Sequence, residues 1–260
     1  STPTPSVGLP IYRLHMFADG SGWAFNSNQS ALYHTSNGGL SWFTVYPSSG
    51  GTLEGGSVDG FFLDGSIVWL ILSDYATETS SLLHSTDAGA TWSETPLTFL
   101  GGTLFFLDSN SGFMLSRLGA GAGSEWVAVY ATTDAGQTWE QRFTHTPGGE
   151  EPSLPAGGIK SGFTFLDALN GWITGSEPVN DFVYLYRTTD GGTTWEHQPC
   201  DIADADPDAM YTSQPPIFVS ETEGFLPLQT FLMDGSAQAI VCKTSDGGQT
   251  WQSVSSASVQ

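Results

Sequence analysis

The chain is short of positive charge. Only 6 of its 260 residues are lysine or arginine, against 27 aspartates and glutamates, and the formal net charge is -21. Clustered cations are what neutralise phosphates, so this deficit excludes nucleic acid as a partner and docking on anionic lipid. Long apolar runs are missing as well. None reaches the ~18–20 residues that cross a bilayer, so no transmembrane segment is expected. Apolar residues nowhere recur at helical spacing, which excludes a helical or mixed architecture. Cysteine is scarce. The only two, Cys200 and Cys242, fit either redox compartment. A disulfide would need their Cα atoms within about 7 Å, and two separate thiols are the expectation. The five histidines are scattered. They form neither a His-x-x-x-His zinc spacing nor a Ser-His-Asp signature.

What the chain does have is one stretch written five times. Its fullest copy is Thr188-Thr189-Asp190-Gly191-Gly192-Thr193-Thr194-Trp195. The others run Thr35 to Trp42, Ser85 to Trp92, Thr132 to Trp139 and Thr244 to Trp251. Asn37, Asp87, Asp134, Asp190 and Asp246 hold the same place in each. An Asp or Asn there can fold back onto backbone N–H groups and start a turn. The Gly common to all copies supplies a backbone angle that a Cβ resists. Trp42, Trp92, Trp139, Trp195 and Trp251 are expected to begin the outgoing strand and to bury their indoles, each roughly 150–250 Å². These tryptophans stand 50, 47, 56 and 56 residues apart, close to the period of propeller blades.

A second signature precedes each copy by about one hairpin. It is clearest in Phe165-Leu166-Asp167-Ala168-Leu169-Asn170-Gly171-Trp172. An aromatic ends one strand, an acidic turn follows, and Gly-aromatic opens the next. Each unit therefore yields four short strands. After a linker or tail over 1–10, one domain over 11–260 is expected, with blades at about 11–47, 57–95, 102–143, 161–198 and 216–254. The predicted fold is all-β: a five-bladed β-propeller of four-stranded antiparallel blades.

The eight-residue pattern resembles the Asp-box, or bacterial neuraminidase repeat, of sialidases, sortilin-type receptors and photosystem II assembly factors. The resemblance places the box on the turn between strands three and four of a blade, as a structural element and not a catalytic one. Combined with the Phe-x-Asp signature, the chain over 11–254 looks most like the photosystem II assembly and stability factor family and its bacterial relatives. That family implies a non-catalytic binding propeller with an arginine-rich docking face. Here only Arg13, Arg117, Arg142 and Arg187 are present, too few for such a face.

In this topology the long loops gather on one face: 47–56, 73–80, 116–125, 143–160, 175–182 and 199–215. Loops on a rigid scaffold are where binding residues collect. They offer Tyr75, Arg117, Trp126, Glu150, Glu151, Glu177, Asp181 and Tyr211 as binding candidates, the aromatics being able to stack on a sugar or peptide. Asp204, Asp206 and Asp208 alternate in a way that could wrap calcium with oxygen ligands, although the Gly and distal Glu of an EF-hand loop are missing. No other cofactor is expected.

Two functional readings follow. The first is an exported or cell-surface scaffold, monomeric, that recognises a protein or glycan through these loops. The alternative is a hydrolase of neutral glycans with paired carboxylates at the channel mouth. A sialidase is disfavoured because it needs an arginine triad. The Ser/Thr/Pro stretch Ser1–Ser6 reads as a tether left after removal of a signal peptide or lipoprotein anchor. Asn28-Gln29-Ser30 matches a glycosylation sequon.

Overall fold

The computed structural model describes residues 11–26, 29–46, 56–74, 77, 79–145, 153–179, 181–203, 205–232 and 235–258. Among them no helix forms, and all regular structure is strand. The first sheet is a meander of β1 (Ile11–Met16), β2 (Gly22–Asn26), β3 (Leu32–Thr35) and β4 (Phe43–Tyr46). The second repeats it with β5 (Gly56–Phe62), β6 (Val68–Asp74), β7 (Thr79–Ser85) and β8 (Ser93–Leu97). A third holds β9 (Gly102–Phe106), β10 (Gly112–Gly121), β11 (Ser124–Thr132) and β12 (Glu140–Thr144). The rest form one nine-stranded sheet. It contains the meander β13 (Ile159–Phe165), β14 (Gly171–Ser176), β15 (Leu185–Thr188) and β16 (Glu196–His197). Then come β17 (Met210–Ser213), β18 (Ile217–Phe218), β19 (Gly224–Phe231), β20 (Ala237–Thr244) and β21 (Gln252–Ser258). The chain divides into two compact units, Ser1–Met114 with Thr132–Trp139 and Leu115–Ala131 with Glu140–Gln260.

The repeated turn is held by one hydrogen-bond set. In the last copy, Thr244 Oγ1 donates to Asp246 Oδ1 at 2.7 Å and accepts from Gly248 N at 2.9 Å. Asp246 Oδ1 accepts from Thr250 N at 3.0 Å, and Oδ2 from Thr250 Oγ1 at 2.7 Å. The copies at Asp87, Asp134 and Asp190 repeat these bonds. In the first copy Asn37 Oδ1 accepts from Thr35 Oγ1 and Ser41 N, and Gly39 N donates to Thr35 Oγ1 as in the others. For Asp246, desolvation pushes the pKa up, but the bonds from Thr250 and its neighbours outweigh it and bring it down to about 2. The box tryptophans close this turn instead of opening the next strand. Trp195, for example, stands one residue before β16. The cause is local: the indole N–H bonds back to the turn carbonyl of Gly89, Gly136 or Gly192 at 3.1 Å.

The deepest tryptophans belong to the second strands. Trp23, Trp69 and Trp172 are fully buried, whereas of the box tryptophans only Trp195 and Trp251 are buried and the other three are half-buried. Within each unit, an aromatic at the end of one repeat's first strand packs on the second-strand indole of the repeat before it. Phe62 stacks on Trp23 with centroids 5.7 Å apart and Phe106 on Trp69 at 3.7 Å, and Phe218 meets Trp172 at a tilt at 4.9 Å. This ring also explains the Gly of the second signature. A Cβ on Gly171 would stand 2.6 Å from the Phe165 ring, and one on Gly224 would stand 2.8 Å from Phe218. In the first sheet the pattern is offset by one residue. Met16, not Phe17, pairs with the opening Gly22.

Three more expectations need correction. The stretch 116–125 is no loop, because β10 and β11 run on to a two-residue turn. Part of 199–215 is strand: β17 pairs with β19, and Pro215-Pro216, which have no N–H to donate, separate it from β18. The half-buried His34 and His84 pack their rings on Trp23 and Trp69, each at 4.6 Å. Finally, Cys200 and Cys242 are disulfide-bonded, with Cα atoms 7.0 Å apart. Asp201 bridges to Gln252 beside β21, and Ser253 N donates to Asp201 O at 2.8 Å, which lays Cys200 over the buried Cys242.

Candidate functional site

The candidates come together best around the β10–β11 hairpin. Its turn residues Ala122 and Gly123 have φ of 51° and 80°, the left-handed pair that matches the twist of a tight hairpin. Both strands run up to this turn, and bonds from Glu125 N to Ala156 O and from Gly158 N to Gly123 O, both 2.9 Å, tie the hairpin to the 153–158 segment and stiffen it. Trp126 sits on it with 37% of its surface exposed. The other eight tryptophans are buried or half-buried.

A charged network starts at the preceding residue, Glu125. Glu125 is buried, and its Oε1 pairs with Arg117 Nη1 while its Oε2 accepts from Lys160 N at 2.7 Å. Arg117 Nη2 donates to Lys160 O at 3.1 Å. Lys160, on β13, is 1% exposed. Its ammonium is surrounded by five carbonyls, those of Glu125, Pro155, Ala156, Gly157 and Gly158, at 3.0 to 3.3 Å. Tyr184 lies under it, ring centroid 5.2 Å from Nζ, and donates its hydroxyl to Pro155 O at 3.3 Å. Burial pushes the Lys160 ammonium down to about 8, with Arg117 acting the same way and Glu125 and Glu177 opposing. Burial likewise raises the Tyr184 hydroxyl. Glu177 reaches the same loop: a Cβ on Gly157 would stand 2.9 Å from its Oε1.

The segment 153–158 is thus pegged from inside by two titratable side chains. Lys160 holds Pro155 to Gly158. His145 holds Leu154, its Nε2 bonding Leu154 O at 2.8 Å while Nδ1 accepts from Val127 N at 2.9 Å. Burial lowers the pKa of His145, as it does for His15, His34 and His84. On acidification the unfolded chain takes these protons first. The stability they carry is complete above about pH 6.5, the unperturbed histidine value, and drains away as pH falls through the lowered values in the folded state. Urea unfolding midpoints should therefore drop between pH 7.5 and 5.5, and His145→Gln should flatten that drop. An unchanged midpoint over this range would contradict the pegging.

Arg117, Trp126 and Glu177 are therefore assembled in one place. Tyr211 is not available as a stacking platform. It is 2% exposed in the core with Leu226, Leu228 and Cys242, because β17 turns it inward. Asp181 is exposed at a positive φ of 52°, its N–H on Ala209 O at 2.8 Å. Tyr75, Glu150, Glu151 and Asp204 lie outside the described residues. Asp206 Oδ1 accepts from Asp208 N at 2.9 Å, a local turn bond. Among the described residues no three His, Cys, Asp or Glu side chains are grouped to hold a metal. Sequence reasoning missed Lys160. Its one signal is a lone lysine inside a strand of a cation-poor chain, next to a Gly-rich loop.

Known structures resemble this arrangement of sheets. YCF48, solved bound to D1 peptide, matches over 95% of this chain and 84% of its own, with 18% identity and a TM-score of 0.52. YCF48 from Cyanidioschyzon merolae matches over 96% and 87%, with 14% identity and a TM-score of 0.51. The fold is a β-propeller. The GH74 xyloglucanase from Xanthomonas campestris matches over 98% of this chain at 14% identity and a TM-score of 0.55, but this chain spans only 46% of that enzyme. No family model matches the chain, and no curated protein matches it in sequence. Among the described residues of this propeller no helix is long and apolar enough to cross a membrane.

Proposed function

We propose that this chain is a non-catalytic, five-bladed Asp-box propeller that recognises a protein or glycan ligand on the face presenting the β10–β11 hairpin. One observation carries the reading: Trp126 is the exposed tryptophan among nine, and it is mounted on a stiff hairpin next to the buried Glu125 of a locked ion network. Exposed tryptophans beside arginine are the residue types that dominate binding energy at interfaces. The carboxylate nearest to it argues against acid–base work. Glu125 is buried and fully occupied by Arg117 and Lys160, which suits a brace better than a proton carrier. The likeness to a propeller bound to a peptide supports a protein ligand. The disulfide fits an exported or cell-surface protein.

Peptide and glycan arrays probed with the whole chain test this. Binding to at least one class is expected, with Trp126→Ala weakening it by about tenfold or more and leaving the melting temperature within about 2 °C. Arrays that stay blank, or Trp126→Ala binding as the parent does, would refute the hairpin as the contact surface. The xyloglucanase likeness keeps a glycan hydrolase as the second reading. Turnover of a chromogenic glycoside, lost on removing one loop carboxylate, would favour it.

A further inference from the structure

A second recess, built from none of those residues, lies on the outer part of β15 and β16. It has a volume of about 180 Å³ and is lined by Arg187, Thr189, Thr194, Glu196, His197 and Gln198. Its walls are fixed. Arg187 Nη2 donates to Asn170 Oδ1 at 3.0 Å, and the guanidinium lies 5.6 Å above the Trp172 ring. Gln198 is spent: Oε1 accepts from Trp172 and Trp251 Nε1, while Nε2 donates to Gly248 O and Gln249 O. The His197 ring is braced on Phe182 at 4.8 Å, and its Nε2 donates to Val183 O at 3.1 Å, which leaves Nδ1 as an acceptor.

Arg187 Nε has no hydrogen-bond partner, but it is buried beyond a ligand's reach, so the recess is judged by the groups that line it. Glu196 stands directly across the β15–β16 pair from Arg187 and is exposed. Thr194 Oγ1 already donates to Asp190 Oδ2 at 2.6 Å, so it offers only lone pairs to a ligand.

The mixture selects the ligand's charge. An anion would meet Glu196 and a chain of net charge -21. A cation would meet Arg187. A neutral molecule with adjacent hydroxyls satisfies both, because each hydroxyl accepts from the guanidinium and donates to the carboxylate or imidazole. The volume admits one such ring. We propose that this pocket binds a single neutral monosaccharide unit, free or at the end of a glycan. The proposal is independent of the Trp126 surface.

Ligand-observed NMR titration of the whole chain tests it with glucose, galactose, mannose, xylose and N-acetylglucosamine, and with glucuronate and glucosamine as charged counterparts. Saturable binding of at least one neutral sugar is expected, with the charged counterparts weaker. Glu196→Ala, an exposed change that spares the fold, should weaken it about tenfold, the loss of one charged hydrogen-bonding group. Trp126→Ala should leave it unchanged. The assignment is overturned if no neutral sugar saturates, if a charged sugar binds as well, or if Glu196→Ala binds like the parent.

Discussion

Lys160→Met is expected to lower the thermal unfolding midpoint by roughly 6–10 °C. Methionine keeps the volume and removes the charge. Five carbonyls then lose their shared donor, and Glu125 keeps only Arg117 for compensation. Removing one partner from a buried ionic cluster costs about 3–5 kcal/mol, and at this chain length each kcal/mol moves the midpoint by about 2–4 °C. The lower end is expected because Arg117 remains. The double variant Lys160→Met, Glu125→Gln should recover part of the loss, since it no longer leaves a buried charge short of a partner. Parent-like melting of the single variant, or purely additive losses in the double, would show that the ammonium does not organise this loop.

Trp172→Ala should be as damaging, at about 3–5 kcal/mol. The indole packs against Phe218 at 4.9 Å and edge-on to Trp251 at 6.3 Å, and its N–H donates to Gln198 Oε1 at 2.8 Å. Arg187 also loses the ring beneath it. Trp139→Ala, at a half-buried box position, should cost about half as much, because less apolar surface leaves water there. Chemical denaturation of both variants decides the order. Equal losses would mean that the box indoles carry as much of the core as those on the second strands.

Much of the architecture was legible because it rests on local rules repeated along the chain. The Asp or Asn at the third place of each box, the Gly at the fifth and the Trp at the eighth encode a turn whose bonds lie within eight residues. The Gly-aromatic pairs at Gly22, Gly112 and Gly171 open second strands for the same reason. What was not legible depends on distant partners. The extension of β10 and β11 past the sheet looks like loop composition in Gly119 to Gly123, and only pairing across the hairpin makes it strand. Tyr211 looked like a loop aromatic because Pro215 and Pro216 hide the strand before them. Lys160 carries no motif, since its meaning lies in carbonyls brought in by a Gly-rich turn and by β11. Cys200 reaches Cys242 only because Asp201 lies alongside Gln252.

The passing of a phenyl ring onto the neighbouring indole has an evolutionary reading. Phe62 and Phe106 stack on Trp23 and Trp69, and Phe218 meets Trp172 at a tilt, so the modules are joined by the same two residue types. Duplication or loss of a whole module would preserve every such joint. Descendants of a common ancestor could then differ in copy number while each copy kept its own fold, and drift in the linkers between modules would go unpunished.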